Sequence, residues 1–273
     1  MTATLRDVAA AAGVHVSTAS RAMSPETEHL VNPATVRRVL RAAQSLSYVA
    51  NPLARGLKTN RSLTLGFVVP DIMNPLFPPM IRGFEDVVTE QGYSAITANT
   101  DNDPVRQRQV LFAMQGRRID GLVLASAVLE QDDVIRDLRL PIVLVNRVDP
   151  ELGLSSVAGD EESGLRQAVE HLVALGHRRI AHIAGPRVTS TGLLRRRAFQ
   201  HALRDAGLEV REHLVIEAES YSIEEGDRCM DELIARDGEF TAVVAGNDLI
   251  ALGCCDAMRR RGVDCPADVS VIG

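Results

Sequence analysis

Apolar and polar positions follow two regimes along this chain. Over residues 1–50 the apolar residues recur three and four apart in short runs, the spacing of helices with one buried face. Thr4 precedes LRDVAAAA, in which Leu5, Val8, Ala9 and Ala12 share a face, and Gly13 ends the run as a helix-stopping glycine would. VHVSTASRAM follows within three residues. It predicts a second helix with Val14 in the turn, Ala19 and Ala22 facing inward, and Val16, Ser17, Ser20 and Arg21 facing out. A third helix opens with Asn32 as N-cap and Pro33 as its first residue, and Val36, Val39, Leu40, Ala43 and Leu46 form one apolar stripe. Two short helices joined by a tight glycine turn predict a helix-turn-helix. Asn51 and Pro52 open a further helix to about Lys58, but it is short and holds Gly56, so alone in water it is marginal. Leu53 and Leu57 share its face, as half of a helix pair or as a wedge for a minor groove.

From Leu63 the pattern alternates between apolar runs and helical spacing. LTLGFVV, YSAITA, GLVLAS and PIVLVN predict four strands, with helices from about Pro79, from Pro104 and over 130–139 between them. The alternation restarts after Gly159: helix 161–175, RIAHIAG, helix 193–205, LVIEA, helix 223–235, TAVVAG, helix 249–261 and VSVIG. Continuous Val/Ile/Leu strands separated by helices indicate parallel, doubly wound sheets covered on both faces. The expected organisation is an all-α headpiece at 1–50, a hinge helix and linker at 51–61, and two α/β subdomains at 62–159 and 160–273. Ligands in open α/β sheets sit at the strand carboxyl ends, hence between the two subdomains.

Charge sharpens this division. Residues 1–61 carry seven Arg and one Lys against three acids, whereas residues 62–273 carry 22 Arg against 33 acids. A basic segment on an acidic body is the electrostatic footprint of a nucleic-acid reader. On the second helix Arg21 can grip guanine with two hydrogen bonds, and Ser17 and Ser20 reach a base edge or a phosphate. The apolar runs stop near eight residues and the first residues do not read as a signal peptide, so a cytoplasmic protein with no membrane partner is expected. Cys229, Cys254, Cys255 and Cys265 lack C-x-x-C spacing and read as buried thiols, with no metal or cofactor expected. The glycine-rich, nucleophile-elbow and H-E-x-x-H signatures of common α/β enzymes are absent, and His171, His177 and His182 read as helix-end and strand residues.

Polar residues gather at the predicted strand ends: Asp71 and Asn74 with Phe77, Asn99 and Asp101, Asn146 and Arg147, Thr189 to Arg195 including Thr191, Tyr221, and Asn247 with Asp248. Singly, such residues cap helices or form turns. As a set they favour a small molecule rich in hydroxyls, with Tyr221 or Phe77 as an apolar platform. The chain has no Trp and three Tyr, so stacking is confined to few places.

LRDVAAAAGVHVSTASRAM with RVLRAAQSLSYVANPLARGLK resembles the headpiece and hinge of the LacI/GalR family of bacterial transcription regulators. VPDIMNPLF, NTDNDP, RRIDGLVL, HLVALGHRRIAHIAGP and NDLIALG are similar to motifs of that family's core, whose fold is periplasmic-binding-protein-like. The resemblance implies a homodimer on double-stranded operator DNA, with Val16, Ser17 and Arg21 on bases and Thr18 and Ser20 on phosphates. It implies hinge contacts from Asn51, Ala54, Leu57 and Lys58, with Leu57 levered between the central base pairs. It also implies a sugar-like effector held by Arg195, Asn146, Tyr221 and Asn247. Two departures stand out: His15 occupies the usual Ser position before the second helix, and the segment between Arg21 and Thr35 is longer than usual. Family chains continue past VSVIG, so the sequence reads as C-terminally truncated, and a regulator that binds neither DNA nor effector tightly is the competing expectation.

Overall fold

The computed structural model describes residues 3–24, 27–48, 61–126, 132–237 and 239–273. The chain divides into two compact units, Met1–Ser62 and Leu63–Gly273.

The first unit holds α1 (Leu5–Ala11), α2 (Val16–Ala22), a single 3-10 turn at Glu28–Leu30, and α3 (Pro33–Ser45). Thr4 and Asp7 close a reciprocal cap on α1: the Thr4 N–H donates to the Asp7 carboxylate at 2.8 Å, and the Asp7 N–H donates back to Thr4 Oγ1 at 3.4 Å. The Thr4 hydroxyl, which donates to the same carboxylate at 2.7 Å, together with the Thr4 N–H holds the Asp7 carboxyl below the usual carboxylate range. Gly13 turns the chain at φ +62, a conformation that favours glycine. His15 caps α2, its Nδ1 accepting the Ser17 N–H at 3.2 Å. Val8, Ala9, Ala12, Ala19, Ala22, Val39, Ala42 and Ala43 form the core, and Arg38 Nε donates to the Ala12 carbonyl at 2.8 Å, tying α3 to the end of α1. The α3 stripe differs from expectation, because Leu40 and Leu46 are 46% and 37% exposed. Leu40 sits about 100° round the helix from buried Val39, and Leu46 lies past the last turn. The hinge candidates Asn51, Ala54, Leu57 and Lys58 lie outside the described residues.

The second unit holds two parallel sheets. In the first, β1 (Thr64–Val69), β2 (Ser94–Asn99), β3 (Gly121–Leu124), β4 (Ile142–Val145) and β5 (Ser155–Val157) take the order β2-β1-β3-β4-β5. Its helices are α4 (Phe77–Glu90), α5 (Pro104–Gly116) and α6 (Asp132–Arg136). β5 exceeds the four strands expected; it is three exposed residues, two of them Ser, and leaves no apolar run to read. In the second, β6 (Ile180–Ala184), β7 (Val215–Glu217), β8 (Ala242–Ala245) and β9 (Ser270–Ile272) take the order β7-β6-β8-β9, with α7 (Glu161–Ala174), α8 (Ser190–Asp205), α9 (Ile223–Asp237) and α10 (Asp248–Arg261). α9 and α10 touch backbone to backbone: a Cβ on Gly253 would lie 2.1 Å from the Ile223 carbonyl oxygen, and one on Gly226 2.2 Å from that of Ile250. Cys229 and Cys254 are buried as expected, and burial pushes their thiols up to about 11 and about 12. Cys255 is half-buried, and Cys265, in the turn before β9, is exposed, which corrects the expectation of four buried thiols.

Two histidines brace the second sheet. His177 bridges Thr241 Oγ1 at 2.9 Å and Ser270 Oγ at 3.1 Å, pinning β9 beside β8. His182 is fully buried in β6, stacks on Phe199 with ring centroids 4.6 Å apart, and donates from Nδ1 to the Val244 carbonyl at 2.7 Å. Burial lowers its pKa from 6.5 to about 4. Between those values the unfolded chain takes up a proton that the fold refuses, so stability is full above pH 6.5 and falls as pH drops towards 4. The loss attributable to His182 approaches about 3 kcal/mol. Urea unfolding at pH 7.5 and 4.5 should show a smaller acid loss for His182→Phe than for the parent chain; equal losses would contradict the assignment.

Candidate ligand cleft and DNA-facing helix

The carboxyl ends of the strands in both sheets open on a cleft of about 810 Å³. Ten of the strand-end candidates line it: Asp71, Asn74, Phe77, Asn146 and Arg147 on the first sheet's side, and Thr191, Arg195, Tyr221, Asn247 and Asp248 on the second's, with Asp101 beside them, whereas Asn99 and Thr189 are not in its lining. Several of these side chains also hold the backbone. The Asp71, Asn74 and Asn247 side-chain oxygens accept the N–H groups of Met73 (2.9 Å), Leu76 (3.0 Å) and Ile250 (3.0 Å). Phe77 is 2% exposed and packs with Phe67, Val69 and Ala125, so it contributes more to the core than to a platform.

Arg195 organises the second wall. Its Nε and Nη2 donate to the Glu161 carboxylate at 2.6 and 2.9 Å, its Nη1 donates to the Gly246 carbonyl at 2.6 Å, and its guanidinium lies 6.0 Å from the centre of the Tyr221 ring. Burial opposes the charge, but the hydrogen bonds and charge of Glu161 outweigh it and raise the Arg195 pKa. The Tyr221 hydroxyl donates to Thr191 Oγ1 at 3.0 Å. Gly185, at the end of β6, makes room for that ring, since a Cβ there would sit 2.2 Å from the Tyr221 hydroxyl oxygen.

On the opposite wall Asn146 takes φ +64 in a tight turn in which the Arg147 N–H donates to the Val145 carbonyl at 2.7 Å. This turn sends Arg147 inwards, where it is 4% exposed and Nη2 donates to Asn102 Oδ1 at 2.8 Å. Desolvation lowers its pKa to about 10, so it stays cationic at neutral pH. Nearby, Asp101 is engaged by Asn99 and Arg106.

In the headpiece α2 exposes Ser17 and Arg21, with Thr18 and Ser20 half-exposed beside them. Val16 is likewise half-exposed, with part of its side chain packed on the headpiece core. The Ser17 hydroxyl lies 2.8 Å from His15 Nδ1, so the cap also positions a candidate base contact. Among the described residues no helix is long and apolar enough to cross a membrane, and no group of three or more His, Cys, Asp or Glu could hold a metal ion.

Residues 4–51 match the family described as "Bacterial regulatory proteins, lacI family", and residues 62–273 match "Periplasmic binding proteins and sugar binding domain of LacI family". The chain belongs to the lacI family of bacterial regulatory proteins. Among the similar proteins, catabolite control protein A of Priestia megaterium is 30% identical over 276 residues, covering 100% of this chain and 82% of that protein. The transcriptional repressor CytR of Escherichia coli (strain K12) is 33% identical over 274 residues, covering 99% of this chain and 79% of CytR. A solved structure of the Lac repressor dimer bound to operator and the anti-inducer ONPF superposes with a TM-score of 0.87 at 26% identity, covering 100% of this chain and 82% of that one. The complex of the transcriptional regulator CelR with cellobiose superposes at 0.70 with 31% identity, covering 99% and 82%.

For this LacI-family transcriptional regulator, reasoning from sequence missed Glu161, Asn102 and Gly185 at the cleft. Glu161 read as an ordinary acid in a helix's first turn, and only the folded chain sets it against Arg195, 34 residues on. Gly185→Ala is expected to push the Tyr221 hydroxyl off Thr191 and to cost about 1–3 kcal/mol by overpacking. Thermal unfolding and the near-ultraviolet tyrosine signal, to which only three tyrosines contribute, measure this; unchanged values would show that the glycine is dispensable.

Proposed function

We propose that this chain is a sequence-specific DNA-binding regulator whose hold on its operator is set by a small, hydrogen-bond-rich molecule in the cleft. The observation that carries this is the union, in one chain, of an exposed Arg21 on a short second helix with a cleft whose donors are fixed in place by Arg195, Glu161, Tyr221 and Thr191. Arg21 grips a guanine edge through two parallel hydrogen bonds, Ser17 and Val16 meet neighbouring base edges, and Thr18 and Ser20 meet phosphates. A second copy of the chain supplies the second half-site, and Asn51, Ala54, Leu57 and Lys58 act at the operator centre, with Leu57 as the wedge. Occupancy of the cleft changes the arrangement of the two sheets and so whether the marginal 51–58 segment folds on DNA. The operator-bound, anti-inducer-bound Lac repressor dimer and the cellobiose complex of CelR support a sugar-like effector and a homodimer.

Selection from random duplex DNA at physiological salt should enrich a palindrome with two half-sites, and the absence of enrichment would contradict this function. On the recovered operator, Arg21→Ala should cost about 1–3 kcal/mol and relax preference at one base pair per half-site. Uniform weakening on all sequences would instead make Arg21 a phosphate contact.

A further inference from the structure

We propose that the molecule held in this cleft carries an oxyanion, a carboxylate or a phosphate ester, beside its hydroxyls, and that Arg147 selects it; this rests on the effector reading above. The charges around the cleft are unevenly matched. Arg195 is neutralised by Glu161 and feels Asp248 as well. Asp101 is taken by Arg106, and Asp71 accepts the Met73 N–H. Arg147 is different: among the described residues it forms no ion pair, and its one side-chain partner is the neutral amide of Asn102. Its Nε and Nη1 are buried with no hydrogen-bond partner.

Packing does not account for a cation here. The single bond to Asn102 needs one donor, which a neutral amide side chain supplies, and a buried charge without a counterion is costly to keep. The charge is useful if the bound molecule balances it. Sugar hydroxyls accept hydrogen bonds but leave the charge in place, whereas an oxyanion offers several acceptor lone pairs and neutralises it at once. Arg147 and Tyr221 line the same cleft, so a molecule seated there meets the guanidinium and the phenol together. The cleft also carries hydroxyls for a polyol frame, with Thr191, Ser220 and Ser222 lining it.

The test is calorimetric titration of the full chain, at fixed ionic strength, with neutral hexoses, their 6-phosphates and the matching uronic acids. A charged member should bind at least tenfold more tightly than its neutral parent, and whether it is the phosphate or the acid identifies the oxyanion. Arg147→Gln should erase that preference, and Arg147→Lys, which keeps the charge, should retain part of it. Far-ultraviolet circular dichroism reports folding, and if the Gln variant fails to fold, the Lys variant carries the comparison through its weaker preference. Equal or tighter binding of the neutral hexose, or an unchanged preference in the folded variants, would overturn the oxyanion and leave the effector reading standing. No binding by any member would overturn both.

Discussion

The Arg195–Glu161 pair is the interaction on which the second wall of the cleft depends. One guanidinium joins the first turn of α7, the carbonyl after β8 and the face of Tyr221, and Tyr221 in turn holds Thr191 in the first turn of α8. Both partners are largely withdrawn from water, with side chains 21% and 13% exposed, so removing either would strand a charge. The pair therefore fixes position more than it adds stability. Donors held in place before a ligand arrives lose little freedom on binding it.

Sheet geometry sets the place of this wall before any single residue acts. Parallel strands deliver all their carboxyl ends to one edge of each sheet, and the loops leaving those ends carry the polar residues. Buried strands such as IAHIA and AVVA hold the edges steady, while Gly185 and Gly253 allow approaches that a Cβ would block. The cleft's polar residues thus sit in the loops after the strands and in the first turns of the helices that follow, on an apolar frame.

The frame was legible in the sequence because burial on both faces leaves continuous apolar runs such as FVV and AVV. The headpiece was legible through its caps: Thr4 with Asp7, Gly13, and Asn32 before Pro33 all act where their residue types direct. The cleft residues Asn146, Arg147 and Tyr221 were legible through their position at strand ends. What stayed hidden depended on contacts between distant segments. Glu161 needed Arg195, Gly185 needed Tyr221, and the exposure of Leu40 needed the small-residue packing of Val39 with Ala42 and Ala43. β5 was hidden for a different reason, since it is held by backbone pairing to β4 and carries little apolar signal.

If cleft and headpiece form one regulatory device, ligand and DNA must each change the affinity of the other by the same factor. The most direct measurement is operator affinity of the full chain by fluorescence anisotropy, with and without a saturating ligand seated in the cleft. A change of about 5- to 150-fold, in either direction, is expected, mirrored in the ligand's own affinity when operator is present. A ligand that occupies the cleft and leaves operator affinity unchanged would contradict that coupling.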